Sequence, residues 1–141
     1  MIDLISVLDR PGVSIPLLWN LLRERPAEAN ISHRGMPTLD NHKAFVLNHP
    51  YAAWYMVSSE ELERTTNFGA IYLTKQNEIG IGILAEHARK GYATAAIKAL
   101  MAKHPRQHYL ANVAPMNHAS HTLFQGLGGE LVQLTYKISK P

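Results

Sequence analysis

The chain has 141 residues, 46% of them apolar, which is the size of one domain with enough hydrophobic material for a packed core. It contains no cysteine, and that excludes a disulfide framework, a thiolate zinc site and any acyl-enzyme formed through sulfur. The net charge of +3 comes from scattered basic residues; it favours anionic ligands but is too small and too dispersed for a nucleic-acid surface.

The opening residues lack the basic and long apolar regions of a signal peptide, and no apolar run approaches the roughly 18 residues of a membrane span, so a cytoplasmic protein is expected. Residues 2–7 read as a short strand and Pro11-Gly12 as a turn. Ser14 reads as the cap of a helix through Leu17, Leu18, Leu21 and Leu22, ended by Pro26. Thr38 caps a second helix, with Asn41 at the capping-box position and Leu39, His42, Phe45 and Val46 as its apolar face; it stops before Pro50.

Residues 51–58, 68–74 and 78–85 then read as three strands of a meander. Lys75-Gln76-Asn77 is a tight connection, and Ile79, Ile81 and Ile83 alternate onto one face. Residues 91–103 form an alanine-rich helix, 109–113 a strand, 117–127 a helix stopped by Gly128-Gly129, and 131–138 a last strand. This order implies a single α/β domain over residues 1–141. Its sheet is mixed but mostly antiparallel, with helices on both faces and one parallel crossover at the helix of Gly91.

The chemistry concentrates between Ala85 and Thr94, where a strand ends and Gly91 opens a helix. The first turn of a helix has N–H groups without internal partners, and its dipole adds partial positive charge. Glycine admits close approach to the backbone, and Arg89 and Lys90 add charge at the same point, so the stretch has the makings of a pyrophosphate cradle. An ordinary strand-to-helix turn with a surface Arg-Lys pair would look the same. A Walker loop is absent, and a single glycine after a meander is not a dinucleotide fingerprint.

Residues Ala88-Arg89-Lys90-Gly91-Tyr92-Ala93, followed by Thr94, resemble the [QR]-x-x-G-x-[GA] signature of the GNAT acetyltransferases. Ala88 departs from the leading Gln or Arg. The stretch from Asn112 through Asn117-His118-Ala119-Ser120 to Leu127-Gly128-Gly129 is similar to the start and end of that family's last helix.

The resemblance implies a GNAT fold and acetyl-CoA as acyl donor, bound by Leu84, Ala85, Arg89, Lys90, Gly91, Tyr92, Ala93, Thr94, Asn117 and Ser120. Asn117 reads equally well as a plain helix cap. The resemblance also implies an oxyanion donor among the backbone N–H groups near Leu84, and it puts Phe124 where many relatives carry a tyrosine acid. Tyr136 is then the first candidate proton donor, with Tyr72, His118, His121 and water as alternatives.

Glu78 is the candidate base. By period two it shares a face with Gly80 and Gly82, whose bareness leaves room for a ligand or allows close packing of a helix on the sheet. With no cysteine, direct attack by the amine is the simplest route. His33 and Arg34, between the first two helices, are the candidate acceptor-binding residues. His118 and His121 lie at i, i+3, but no third ligand is evident, so no metal is expected.

The acceptor expected first is a small primary amine such as an amino sugar or nucleotide-linked amino sugar. A protein or peptide amine is the alternative, as is a non-catalytic module that binds CoA or a partner. Neither a nucleic-acid nor a membrane partner is expected. A homodimer is compatible with the resemblance, dimers being common in the family.

Overall fold

Period-two alternation sorts the meander side chains onto two faces, and each face finds helices to cover it. The computed structural model describes residues 2–25, 36–61 and 63–141. In chain order these form β1 (Asp3–Ser6), α1 (Pro11–Glu24), α2 (Leu39–Asn48), β2 (Ala53–Glu61), β3 (Arg64–Leu73), β4 (Ile79–Ile83), α3 (Tyr92–Lys103) and α4 (His118–Gly126). Short 3-10 turns precede α1 and follow β4, the second over Ala85–His87. The sheet runs β1-β2-β3-β4 with every neighbour antiparallel, and Tyr55, Ile71 and Ile81 mark one register line across it.

On one face Ala53, Val57, Ile71, Leu73 and Ile79 bury against Ala96, Ile97 and Leu100 of α3. On the other, Trp54, Met56, Ala70 and Leu84 pack with Val7, Leu17, Leu18 and Val46, and so with α1 and α2. The helices on both faces and the meander are as the sequence implies.

Several boundaries differ, each for a physical reason. Helix α1 begins at Pro11, where proline's missing N–H has no helical partner to lose. Ser14 is therefore inside the helix, fully buried, and its hydroxyl donates to Val7 O at 2.7 Å rather than capping. Pro26 lies outside the described residues. Thr38 does cap α2, its Oγ1 accepting from Asn41 N at 3.1 Å. The buried face of α2 is His42 and Val46, with Leu39 and Phe45 about half exposed. His42 is satisfied by a 3.0 Å hydrogen bond with Ile15 O.

Strands β2 and β3 run on past Ser58 and before Phe68 as a polar hairpin, with a register shift between Val57 and Ser58. Ser58 Oγ ties it across to Asn67 Oδ1 at 2.6 Å.

Two expected strands are not formed. Of residues 109–113, Leu110 alone is bridged, in parallel to Glu78. The parallel crossover is therefore one rung: Ile79 N donates to Leu110 O at 2.7 Å and Leu110 N to Asn77 O at 2.9 Å. Tyr109 anchors the approach, its hydroxyl donating to His104 O at 2.7 Å. Residues 131–138 pair with no strand and are exposed throughout. Their alternation is that of a strand, but among the described residues none forms a ladder with them.

Candidate functional site

Helix α3 starts from a backbone that only glycine adopts easily. Gly91 is its N-cap at φ +82°, and Arg89 two residues earlier is also left-handed at φ +61°. A Cβ on Gly91 would meet no atom within 4 Å, so the space above the helix end is open. The first internal bond here runs from Ala95 N to Gly91 O at 3.1 Å. The N–H groups of Tyr92, Ala93 and Thr94 fall in the first turn, where the helix itself offers no acceptor. Exposed Arg89 and Lys90 add charge at this point.

The Tyr92 ring stacks on Phe68 at 3.9 Å and 13°, with His87 edge-on to Phe68 at 4.9 Å. This locks the loop to the sheet. A cleft of about 880 Å³ is bounded by Lys90, Gly91, Tyr92, His87, Phe68 and Arg64. A second cleft, of about 390 Å³, lies between Thr94 and Lys98 of α3 and Thr122, Leu123 and Gly126 of α4 with Leu127 just after it. The two stretches that carry the resemblance thus meet in space.

The outer edge of β4 is the second feature. Thr74 N donates to Glu78 O, and Leu84 N to Phe68 O, both at 2.8 Å. Because an antiparallel ladder alternates its bonded pairs, the backbone groups of Ile79, Ile81 and Ile83 then point away from β3. Ile79 spends its N–H on Leu110, after which the 111–113 segment follows no ladder, and Ile81 and Ile83 face the gap. An extended, amide-bearing ligand chain can add to such an edge as a strand would. The Leu84 N–H is committed to Phe68 and the Ala85 N–H to Glu24 Oε2 at 3.0 Å, so the donor that faces the gap is Ile83 N–H.

Glu78 stands at the end of this edge. Thr74 Oγ1 donates to its Oε1 at 3.2 Å, and the Asn112 amide donates to its Oε2. These partners aim the carboxylate. Asn112 carries no assigned role in the sequence; its only signal there is its place inside the strand-like 109–113 run.

Gly80 is bare because the Tyr72 ring occupies its side-chain space: a Cβ would lie 2.0 Å from Tyr72 Cζ. Gly82 faces Leu21 at an ordinary 3.5 Å. The contact at Gly80 is with a ring of the neighbouring strand β3, and it is Gly82 that faces a helix, α1.

Tyr72 stacks on Tyr51 at 4.0 Å and 4°. Burial pushes its phenol above the usual value. The Arg25 charge opposes this, the Glu78 charge adds to it, and a hydrogen bond with Tyr51 lowers it.

Asn117 is the N-cap of α4, its Oδ1 accepting from Ser120 N at 3.3 Å, so the capping role read from the sequence is filled. Phe124 packs partly buried against the α3-side core. Tyr136 is 85% exposed on the C-terminal segment and is not packed against β4 or α3. His33 and Arg34 lie outside the described residues. Among the described residues no three His, Cys, Asp or Glu side chains group as a metal site requires, and no helix is long and apolar enough to cross a membrane.

The model of the acetyltransferase (GNAT) family matches residues 18–129. No curated protein matches the chain by sequence. Among solved structures, a domain from Methanocaldococcus jannaschii is similar with a TM-score of 0.72 at 16% identity, covering 91% of this chain and 87% of that one. The yncA protein of Salmonella typhimurium, assigned as an acetyltransferase and solved with acetyl-CoA, gives a TM-score of 0.63 at 18% identity, covering 91% and 78%. AAC(6')-Iy, solved with a bisubstrate analogue joining CoA to acetylneamine, gives 0.67 at 15% identity, covering 100% and 99%.

Proposed function

The chain belongs to the acetyltransferase (GNAT) family, and we propose that it moves an acetyl group from acetyl-CoA directly to the primary amine of a small molecule, an amino sugar or nucleotide-linked amino sugar first. The observation that carries this reading is the juxtaposition of the open, Gly91-capped end of α3 with the unpaired edge of β4. The Tyr92, Ala93 and Thr94 N–H groups, with Arg89 and Lys90, suit a pyrophosphate. Ile81 and Ile83 suit the amides of the pantetheine arm. The fit to acetyl-CoA is thus built from this chain's own backbone, and the yncA complex supports it by likeness of fold.

In this mechanism Glu78, held by Thr74 and Asn112, takes the proton of the acceptor ammonium. The freed amine attacks the thioester carbonyl, and Ile83 N–H donates to the oxygen as it gains charge. The C–N bond forms, the C–S bond breaks, and sulfur leaves as the thiolate. Tyr72, on the Glu78 face, gives that sulfur its proton and regains one from the attacking nitrogen, which sheds its second proton as the amide forms; burial keeps the phenol protonated until then. His33 and Arg34 take an anionic group of the acceptor. The aminoglycoside-derived analogue bound by AAC(6')-Iy supports an amino-sugar acceptor.

The test is release of CoA thiol on mixing the protein with acetyl-CoA and a panel of amines. The chain has no cysteine, so a thiol reagent sees CoA alone. Release that needs an amine, with amino sugars ahead of peptides, is the expected result. Phe124 at the usual acid position favours a second reading, a CoA-binding module without catalysis, and acetyl-CoA binding with no release from any amine would decide for it.

A further inference from the structure

Four aromatic rings gather on the sheet face that α1 and α2 cover. Trp54 of β2, Tyr72 of β3 and Gly80 of β4 lie on one register line. Tyr72 crosses onto β4 because Gly80 is bare there: a Cβ on Gly80 would lie 2.0 Å from Tyr72 Cζ and 2.4 Å from its hydroxyl oxygen. Tyr51 stacks on Tyr72 at 4.0 Å and 4°. Trp54 stands edge-on to Tyr51 at 4.8 Å, and Phe45 of α2 stands edge-on to both, 6.0 Å from Tyr51 and 5.8 Å from Trp54. Trp54 is buried in the core, but Phe45 is 44% exposed and both tyrosines are half-buried. The cluster therefore has a buried root and an open outer side.

The same face and the same end of the sheet hold Glu78. It stands two residues before Gly80, so its side chain shares the face on which Tyr72 lies. The Glu78 charge reaches the Tyr72 phenol. With strands about 4.8 Å apart and a rise of about 3.4 Å per residue, the Cα atoms of Glu78 and Tyr72 stand about 8 Å apart. An amine that gives its proton to Glu78 thus has its carbon skeleton beside these rings.

We propose that Phe45, Tyr51 and Tyr72 form the wall that selects the acceptor, an amino sugar whose apolar C–H face lies on the rings while its amine reaches Glu78. This inference rests on the acyl transfer proposed above and adds the residues that choose its substrate. A pyranose ring has a flat face of C–H groups rimmed by hydroxyls. A tyrosine matches it, with an apolar ring body and a polar tip. The acceptor arrives as an ammonium ion, and the faces of aromatic rings attract cations, so the wall and Glu78 draw the amine the same way. The rings are already packed against one another, so little rotamer freedom is lost when the sugar lands on them. A straight-chain or peptide amine offers no flat face and leaves this contact unused.

The test is saturation-transfer NMR of glucosamine with the full chain, with and without CoA, irradiating the aromatic protons of the protein. The ring C–H protons of the sugar should receive saturation. Phe45→Ala and Tyr51→Leu should each weaken glucosamine binding roughly 3- to 10-fold, the worth of one aromatic contact. Neither residue belongs to the acyl-transfer machinery, so acetyl-CoA affinity, and thiol release driven by ethanolamine, an amine without a ring, should keep the parent values. Phe45 is about half exposed, so Phe45→Ala should melt close to the parent and carries the test even where Tyr51→Leu loses stability. No transfer to the sugar, or equal binding by the parent and Phe45→Ala, would overturn the wall. Thiol release from glucosamine with one KM for parent and variants would remove the wall and leave acyl transfer standing. Ring contact without thiol release from any amine would keep the wall and refute the transfer.

Discussion

Replacing Gly91 separates its backbone duty from its proposed binding duty. The residue is left-handed at φ +82°, and a Cβ would touch nothing within 4 Å. Gly91→Ala therefore has room and costs only the backbone conformation, about 1 kcal/mol. For a domain of this size that is a fall of about 4 °C in Tm. Gly91→Glu has the same room and the same backbone cost, and a carboxylate at a helix N-terminus recovers roughly 0.3–1 kcal/mol. It should fold at least as well as the alanine variant.

Against a pyrophosphate the two differ. A carboxylate about 5 Å from two negative charges costs about 2 kcal/mol even at the dielectric constant of water, or roughly 30-fold in affinity. The assay is the rise in Tm caused by saturating acetyl-CoA, which follows the ratio of ligand concentration to Kd. The parent and Gly91→Ala should gain several degrees and Gly91→Glu almost none. Equal gains for the two variants would refute the cradle at the start of α3.

Three further perturbations have defined outcomes. Glu78→Gln keeps the side-chain shape and one acceptor for the Thr74 hydroxyl, with the Asn112 amide turned to accept from the new NH2, but it cannot accept a proton; kcat should fall about 100-fold with acetyl-CoA affinity unchanged, as steady-state rates and a binding titration would show. Burial, then the Arg106 and Lys103 charges, hold the His104 imidazole below its ordinary value beside Tyr55, whose hydroxyl lies 2.6 Å from its Nε2. The unfolded chain then binds the proton more tightly, so this contribution to stability is complete above about pH 6.5 and is lost as pH falls below it. Melting at pH 7.5 and 5.5 should show a smaller drop for His104→Gln than for the parent. Leu100→Ala, in the fully buried α3 face, should cost about 2–5 kcal/mol in a denaturant titration.

Where local chemistry decides, the sequence is readable. Thr38 and Asn117 cap because the hydroxyl and amide reach N–H groups three residues on, and the Ile79-Ile81-Ile83 alternation faces α3 because that is the buried side of β4. Gly91 is legible as a special backbone position for the same reason.

Where a distant partner decides, it is not. Nothing near Ser14 shows that its hydroxyl bonds Val7 O, and nothing near Gly80 shows that the Tyr72 ring fills its space. The hairpin from Ser58 to Asn67 is polar, so its strand character lies in cross-strand bonds that no hydrophobic period reports. The 109–113 and 131–138 runs have strand patterns, but pairing depends on an edge to meet: the first departs from β4 after Leu110, and the second is turned away at Gly128-Gly129. Tyr136 lies on that second run, 85% exposed. Asn112 reaches Glu78 only through that single bridge.

The measurement that bears most directly on the proposed function is a calorimetric titration of the purified chain with acetyl-CoA, run beside dephospho-CoA and a melting curve of the same sample. Saturable micromolar binding at one site per chain is the expected result. No heat of binding from a sample that melts cooperatively would contradict the assignment of the α3 and β4 surfaces to acetyl-CoA.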